Sequence, residues 1–123
     1  MQSIKLTMNW IEIKDAAFIG EMKQESVSNP GLTYIIFKHS TRCSTSRMAK
    51  NLFESEWNLT DPVHLVNVVE SRAASNAVAS TFNVHHESPQ VLVIQNGISI
   101  YDNSHSLIDA AGIIKMLHSE PTR

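Results

Sequence analysis

Apolar and polar positions change period several times along this chain, and the changes divide it into alternating strands and helices. Asn9-Trp10-Ile11-Glu12-Ile13 alternates polar with apolar, the two-residue period of a short strand. Asp15 can cap a following helix on which Ala16, Ile19, Met22 and Lys23 recur at helical spacing. That pattern ends at Val27, and Ser28-Asn29-Pro30-Gly31 is a strong stop. Thr33-Tyr34-Ile35-Ile36-Phe37 is β-branched and aromatic throughout, which suits a strand covered on both faces. The polar cluster Lys38-His39-Ser40-Thr41-Arg42 leads to Cys43. From Ser44 to Trp57 the spacing predicts a helix with Met48, Leu52, Phe53 and Trp57 on one apolar stripe. Asp61-Pro62 then breaks the chain.

His64 to Val69 is a second buried-strand candidate, and Ser71 can cap a helix running through Ala73, Ala77, Val78 and Phe82. After Asn83-Val84 comes the polar segment His85-His86-Glu87-Ser88-Pro89-Gln90. Val91 to Ile94, the dipeptide Asn96-Gly97, and Ile98 to Tyr101 predict a β-hairpin. Leu107 to His118 predicts a closing amphipathic helix. Strands alternating with helices imply parallel crossovers, and the hairpin adds an antiparallel edge pair. The expected fold is therefore α/β, a mixed central sheet with helices on both faces; this is the layout of the thioredoxin-like three-layer sandwich, and many other α/β folds share the alternation.

Composition narrows the function classes. The chain has 123 residues, fits a single domain spanning 1–123, and carries a formal net charge of −2. No basic patch of the size nucleic-acid binding needs is indicated. No apolar run approaches the ~20 residues of a membrane-spanning helix, and Met1 to Trp10 lacks a secretory pattern. A cytoplasmic protein without a nucleic-acid or membrane partner is expected. There is one cysteine, so an internal disulfide is impossible and a multi-cysteine zinc site is excluded. Redox chemistry has to run through a mixed disulfide with a second molecule, or through direct oxidation of the thiol.

Cys43 falls where a buried strand gives way to a helix. Unpaired N–H groups and the helix dipole favour a thiolate there, and only the thiolate attacks disulfides usefully. Lys38, Arg42 and Arg47 are near enough in sequence to add positive potential. A free cysteine is often a plain core residue, but the flanking His39-Ser40-Thr41-Arg42 and Ser44-Thr45-Ser46 are polar. Ser88-Pro89 immediately precedes a strand, where the thioredoxin fold carries a cis-proline facing its active cysteine. The six histidines do not suggest a metal site: His85 and His86 are adjacent, and on an extended segment they point to opposite sides. His39 suits either a tuning role beside Cys43 or a structural hydrogen bond.

The segment Phe37-Lys38-His39-Ser40-Thr41-Arg42-Cys43-Ser44-Thr45-Ser46, together with His86-Glu87-Ser88-Pro89-Gln90 and the Asn96-Gly97 hairpin, resembles the YtxJ-like monothiol bacilliredoxin family. The resemblance extends from Asn9-Trp10 through Ser104-His105. It implies a thioredoxin fold and a monothiol oxidoreductase that removes bacillithiol from mixed disulfides on client proteins. Cys43 matches the family's active cysteine, and Ser46, expected as the second catalytic position, the place where a dithiol relative carries its second cysteine. Ser44 stands where the family usually has proline, leaving an extra N–H near sulfur and a freer loop.

In the mechanism expected on this basis, Ser88 and Pro89 hold the partner chain, Ser44 borders the bound substrate, and Lys38, Arg42 or Arg47 steers the carboxylates of bacillithiol, against the commoner role of such basic side chains as simply solvated. No bound cofactor is expected; bacillithiol is a co-substrate, and the partners are bacillithiolated proteins and a low-molecular-weight thiol. Two alternatives stand beside this expectation. One is a non-catalytic binding or stress module with Cys43 as a redox sensor. The other is a glutaredoxin-like iron–sulfur carrier, disfavoured because Ser44 and Thr45 occupy the positions where its motif has glycine and phenylalanine.

Overall fold

Both faces of the strand Tyr34–His39 (β2) are apolar, and both are covered. In the computed structural model, which describes residues 8–118, β2 lies in the middle of a five-stranded sheet. Residues 1–7 and 119–123 of the expected domain lie outside the described residues. The other strands are β1 (Trp10–Glu12), β3 (Val63–Asn67), β4 (Gln90–Gln95) and β5 (Ile98–Ser104). The helices are α1 (Ala16–Ser28), α2 (Ser44–Glu56), α3 (Arg72–Phe82) and α4 (Ala110–His118), with a 3-10 turn at His105–Leu107. The strand order is β1-β3-β2-β4-β5. β1 and β2 run parallel to β3; β4 is antiparallel to both β2 and β5.

Strand parity sorts the core into two layers, because successive side chains on a strand point to opposite faces. Ile36, Val66, Leu92 and Ile94 pack with Ile19, Met22, Ala74, Val78 and Phe82 of α1 and α3. Ile35, Phe37, Val63, Val91 and Val93 pack with Phe53, Trp57, Ala110 and Ile113, on the side of α2 and α4. This is the expected three-layer α/β sandwich. Among the described residues no helix is long and apolar enough to cross a membrane.

Local signals hold in several places. Asp15 Oδ1 accepts the Ala17 N–H at 2.9 Å and starts α1. Asn96 and Gly97 both have positive φ, 53° and 77°, as a type I′ hairpin turn requires. The Gly97 N–H is buried and donates to Ser26 Oγ at 2.8 Å, which ties the hairpin to α1.

Elsewhere tertiary packing overrides the sequence pattern. Met48 and Leu52 do not share the buried stripe of Phe53 and Trp57; they are 71% and 57% exposed. The inward row of α2 is Ala49, Phe53 and Trp57, and the preceding positions lie about 100° around the helix, at 3.6 residues per turn. Ser71 makes no side-chain cap. Asn67 instead fixes the turn that leads into α3, its Oδ1 accepting the N–H groups of Val69 and Glu70, each at 3.1 Å. The last helix starts at Ala110 rather than Leu107, after an extended Ile108, and the third strand ends at Asn67 rather than Val69.

Register brings three separate segments to one end of the sheet. Lys38 of β2 pairs with Gln90 of β4, and Gln90 with Ser104 of β5. The loop from Ser40 to Cys43, the Ser88–Pro89 turn, and His105 therefore emerge side by side.

Candidate active site

Cys43 is the N-cap residue of α2, extended at φ −110° and ψ 121°. Its carbonyl accepts the Arg47 N–H at 3.0 Å, the first intrahelical bond, and its own N–H donates to the Ser40 carbonyl at 3.2 Å. The sulfur is partly exposed and closes no full capping hydrogen bond. It is nonetheless set above the amides of the first turn. The Ser46 amide lowers the thiol pKa most, and the Thr45 amide, the Thr45 hydroxyl and the Arg47 charge lower it further, against an upward push from desolvation. These amides are N2 and N3 of the helix, the donors a capping group normally meets. The result is a reachable sulfur biased toward the thiolate.

Beneath the loop, Ser46 points inward. Its Oγ accepts the Ser40 N–H at 3.0 Å and is hydrogen-bonded to His39 Nδ1 at 2.8 Å. Ser46 is fully buried and His39 nearly so. Burial lowers the His39 pKa, and the charges of Lys50 and Arg47 lower it further, so the ring is held neutral. The expectation of Ser46 as a catalytic side chain needs correction. Its hydroxyl is committed to holding the Ser40–Cys43 loop, and its influence on sulfur comes through its main-chain amide. His39 takes the structural role of the two that its sequence position suggested.

Across the sheet end, the Ser88–Pro89 peptide bond is cis. Pro89 is buried, and its carbonyl accepts the His105 N–H at 3.0 Å. The Ser88 hydroxyl is turned inside without a partner. Among the described residues nothing pairs with the main-chain N–H or carbonyl of Ser88.

A lone thiolate at a helix start beside a proline turn can form mixed disulfides. The profile of the monothiol bacilliredoxin BrxC family matches residues 11–113. The chain belongs to the monothiol bacilliredoxin family. Solved structures agree on the fold. A thioredoxin-fold protein with a proposed oxidoreductase role is 25% identical at TM-score 0.69, over 86% of this chain and 91% of its own. Thioredoxin NaTrxh from Nicotiana alata is 15% identical at TM-score 0.68, over 97% and 100% of the two chains. The Malassezia sympodialis thioredoxin is 16% identical at TM-score 0.64, over 95% and 94%. The chemistry of this bacilliredoxin is thus thiol–disulfide exchange.

Within the bacilliredoxin the expected basic residues separate. Arg42 and Ser44 are exposed on either side of Cys43. Arg47 is also exposed, but its Nη1 donates to the Thr41 carbonyl at 2.9 Å, bracing the loop. Lys38 does not face solvent: its exposure is 0%, and its Nζ has no hydrogen-bond partner. A steering role for Lys38 is therefore excluded. It shares a parity with Ile36 and Leu92, so its side chain enters the α1–α3 layer beside that of Gln90. Burial brings its pKa down to about 8, although the Glu87 carboxylate pulls the other way.

Two features lay outside sequence reasoning. One is the contribution of Thr45, which the cap position of Cys43 would have indicated, since N2 and N3 follow it by two and three residues. The other is a groove of about 380 Å³ between α2 and the 3-10 turn. Met48, Leu52, Phe53 and Ile108 line it, with Thr45 and His105 toward the Cys43 end. No local pattern marks it, because it forms between segments some sixty residues apart.

Proposed function

We propose that this chain removes bacillithiol from protein mixed disulfides, with Cys43 as the nucleophile. The Cys43 thiolate attacks the bacillithiol sulfur, a new S–S bond forms between them, and the client–bacillithiol bond breaks. The client leaves as a thiolate and takes a proton from solvent. A second low-molecular-weight thiol, as its thiolate, then attacks the bacillithiol sulfur on Cys43. That step returns the Cys43 thiolate and releases a small disulfide. The second thiol is required because the chain holds no other cysteine and a serine hydroxyl does not resolve a disulfide. No bound cofactor enters the cycle, and it suits the reducing cytoplasm, where thiols stay free.

The observation that carries this proposal is the seat of the sulfur: partly exposed, on the first turn of α2, with the Ser46 and Thr45 amides lowering its pKa. Arg42, exposed beside it, suits the carboxylates of bacillithiol, and exposed Ser44 borders the same approach. The free main-chain groups of Ser88 suit an extended client chain pairing in β fashion, with Pro89 packed beneath as support.

The test is to incubate the protein with a bacillithiolated client and a regenerating thiol, and to follow client thiol release by mass spectrometry. The expected result is many turnovers per protein, a bacillithiol adduct on Cys43, and no release by Cys43→Ala. A single modification without turnover would mark a sensor instead, and release that survives Cys43→Ala would end the proposal.

A further inference from the structure

His105 touches nothing in the cycle above, yet its main-chain N–H, its carbonyl and its ring Nε2 are all engaged. It opens the 3-10 turn with φ +56°, a left-handed conformation that is strained for a non-glycine residue. Its N–H donates to the Pro89 carbonyl at 3.0 Å, and its own carbonyl accepts the Ile108 N–H at 3.3 Å. Its Nε2 lies 2.9 Å from Glu87 Oε1. The second carboxylate oxygen of Glu87 is 3.8 Å from His85 Nε2. Two of the three bonds of His105 thus run to the 87–89 segment, one to each side of Ser88. Strain of this kind persists where the surroundings fix it, and here the fixing groups belong to the turn that precedes β4.

We infer that His105 and Glu87 together form a clamp that positions Ser88 for partner binding. The clamp joins the end of β5 to the Ser88–Pro89 turn, and with the Pro89 carbonyl already occupied, Ser88 offers the open N–H and C=O. The inference rests on the reading of Cys43 as nucleophile toward a partner disulfide and adds a residue pair that sets partner affinity. His105 is a positioning residue and not a catalytic one, since the groups acting on the Cys43 sulfur are Ser46, Thr45 and Arg47. Loosening the clamp should therefore weaken docking of a polypeptide and leave the thiolate as it was.

The test compares two probes. One is a synthetic cysteine peptide carrying bacillithiol in a mixed disulfide; the other is a small aromatic disulfide that has no chain to dock. Glu87→Gln and His105→Gly should each raise KM for the peptide about fivefold, with kcat within twofold. The double variant should be no worse than the poorer single one, because the two side chains act as one unit. Reaction with the aromatic disulfide and the pH dependence of Cys43 alkylation should not move. His105→Gln, whose side-chain amide nitrogen reaches about as far as the imidazole Nε2 and so keeps a donor for Glu87, should recover part of the affinity lost in His105→Gly.

An unchanged peptide KM, an equal loss toward the small disulfide, or no recovery in the glutamine variant would overturn the clamp. A wild-type protein that accepts no bacillithiol from the peptide would instead remove the nucleophile reading, and the clamp with it.

Discussion

Lys38 gives the sharpest quantitative test of the fold. Its ammonium group is wholly enclosed and makes no hydrogen bond among the described residues, and burial brings its pKa from 10.5 to about 8. At about 1.4 kcal/mol per pH unit, that difference corresponds to roughly 3 kcal/mol lost from stability while the group is charged in the folded state. The sign follows from proton counting. Between about pH 8 and 10.5 the unfolded chain keeps the Lys38 proton and the folded chain releases it, so stability rises with pH through that window. Below pH 8 both states are protonated and the full cost is present.

Lys38→Met removes the charge and keeps most of the volume. It should be more stable than wild type by up to about 3 kcal/mol at pH 7, and the advantage should shrink toward zero by pH 10.5. Urea unfolding of both proteins at pH 7, 8, 9 and 10, compared as differences, cancels the other groups that titrate there. A methionine variant no more stable at pH 7 would refute the enclosure of this charge. An advantage that stays constant with pH would show that packing, not ionisation, is responsible.

Other predictions follow from the site and its supports. The rate of Cys43 alkylation should reach half its maximum at a pH below the ordinary thiol value of ~8.5, because the Ser46 and Thr45 amides favour the thiolate; a midpoint at or above that value would contradict the helix-start geometry. Ser46→Ala leaves the buried His39 Nδ1 and the part-buried Ser40 N–H without their partner, so chemical denaturation should show a loss of about 1–3 kcal/mol. Gly97→Ala places a Cβ 2.6 Å from Val27 Cγ2 at a φ of +77°, and thermal unfolding should register about 1–3 kcal/mol of destabilisation; a neutral effect would mean that the hairpin is not held against α1.

Sequence by itself determined what depends on neighbouring residues. Periods of two and 3.6, the Asp15 cap, the Asn96-Gly97 turn and the placement of Cys43 between a strand and a helix are consequences of local sterics and backbone hydrogen bonding. They were legible because each is written within a few residues. Tertiary structure decided which side of each element meets another. It put Lys38 inside, although lysine is seldom fully buried, and turned Ser46 under the loop toward His39. It left Met48 and Leu52 outside, because Ala49, Phe53 and Trp57 already fill the face toward the sheet. It also joined Glu87 to His105 across eighteen residues of chain. That contact exists because the β2–β4–β5 register sets the Pro89 turn and the end of β5 at one edge of the sheet, and register is a property of the assembled sheet and not of any one segment.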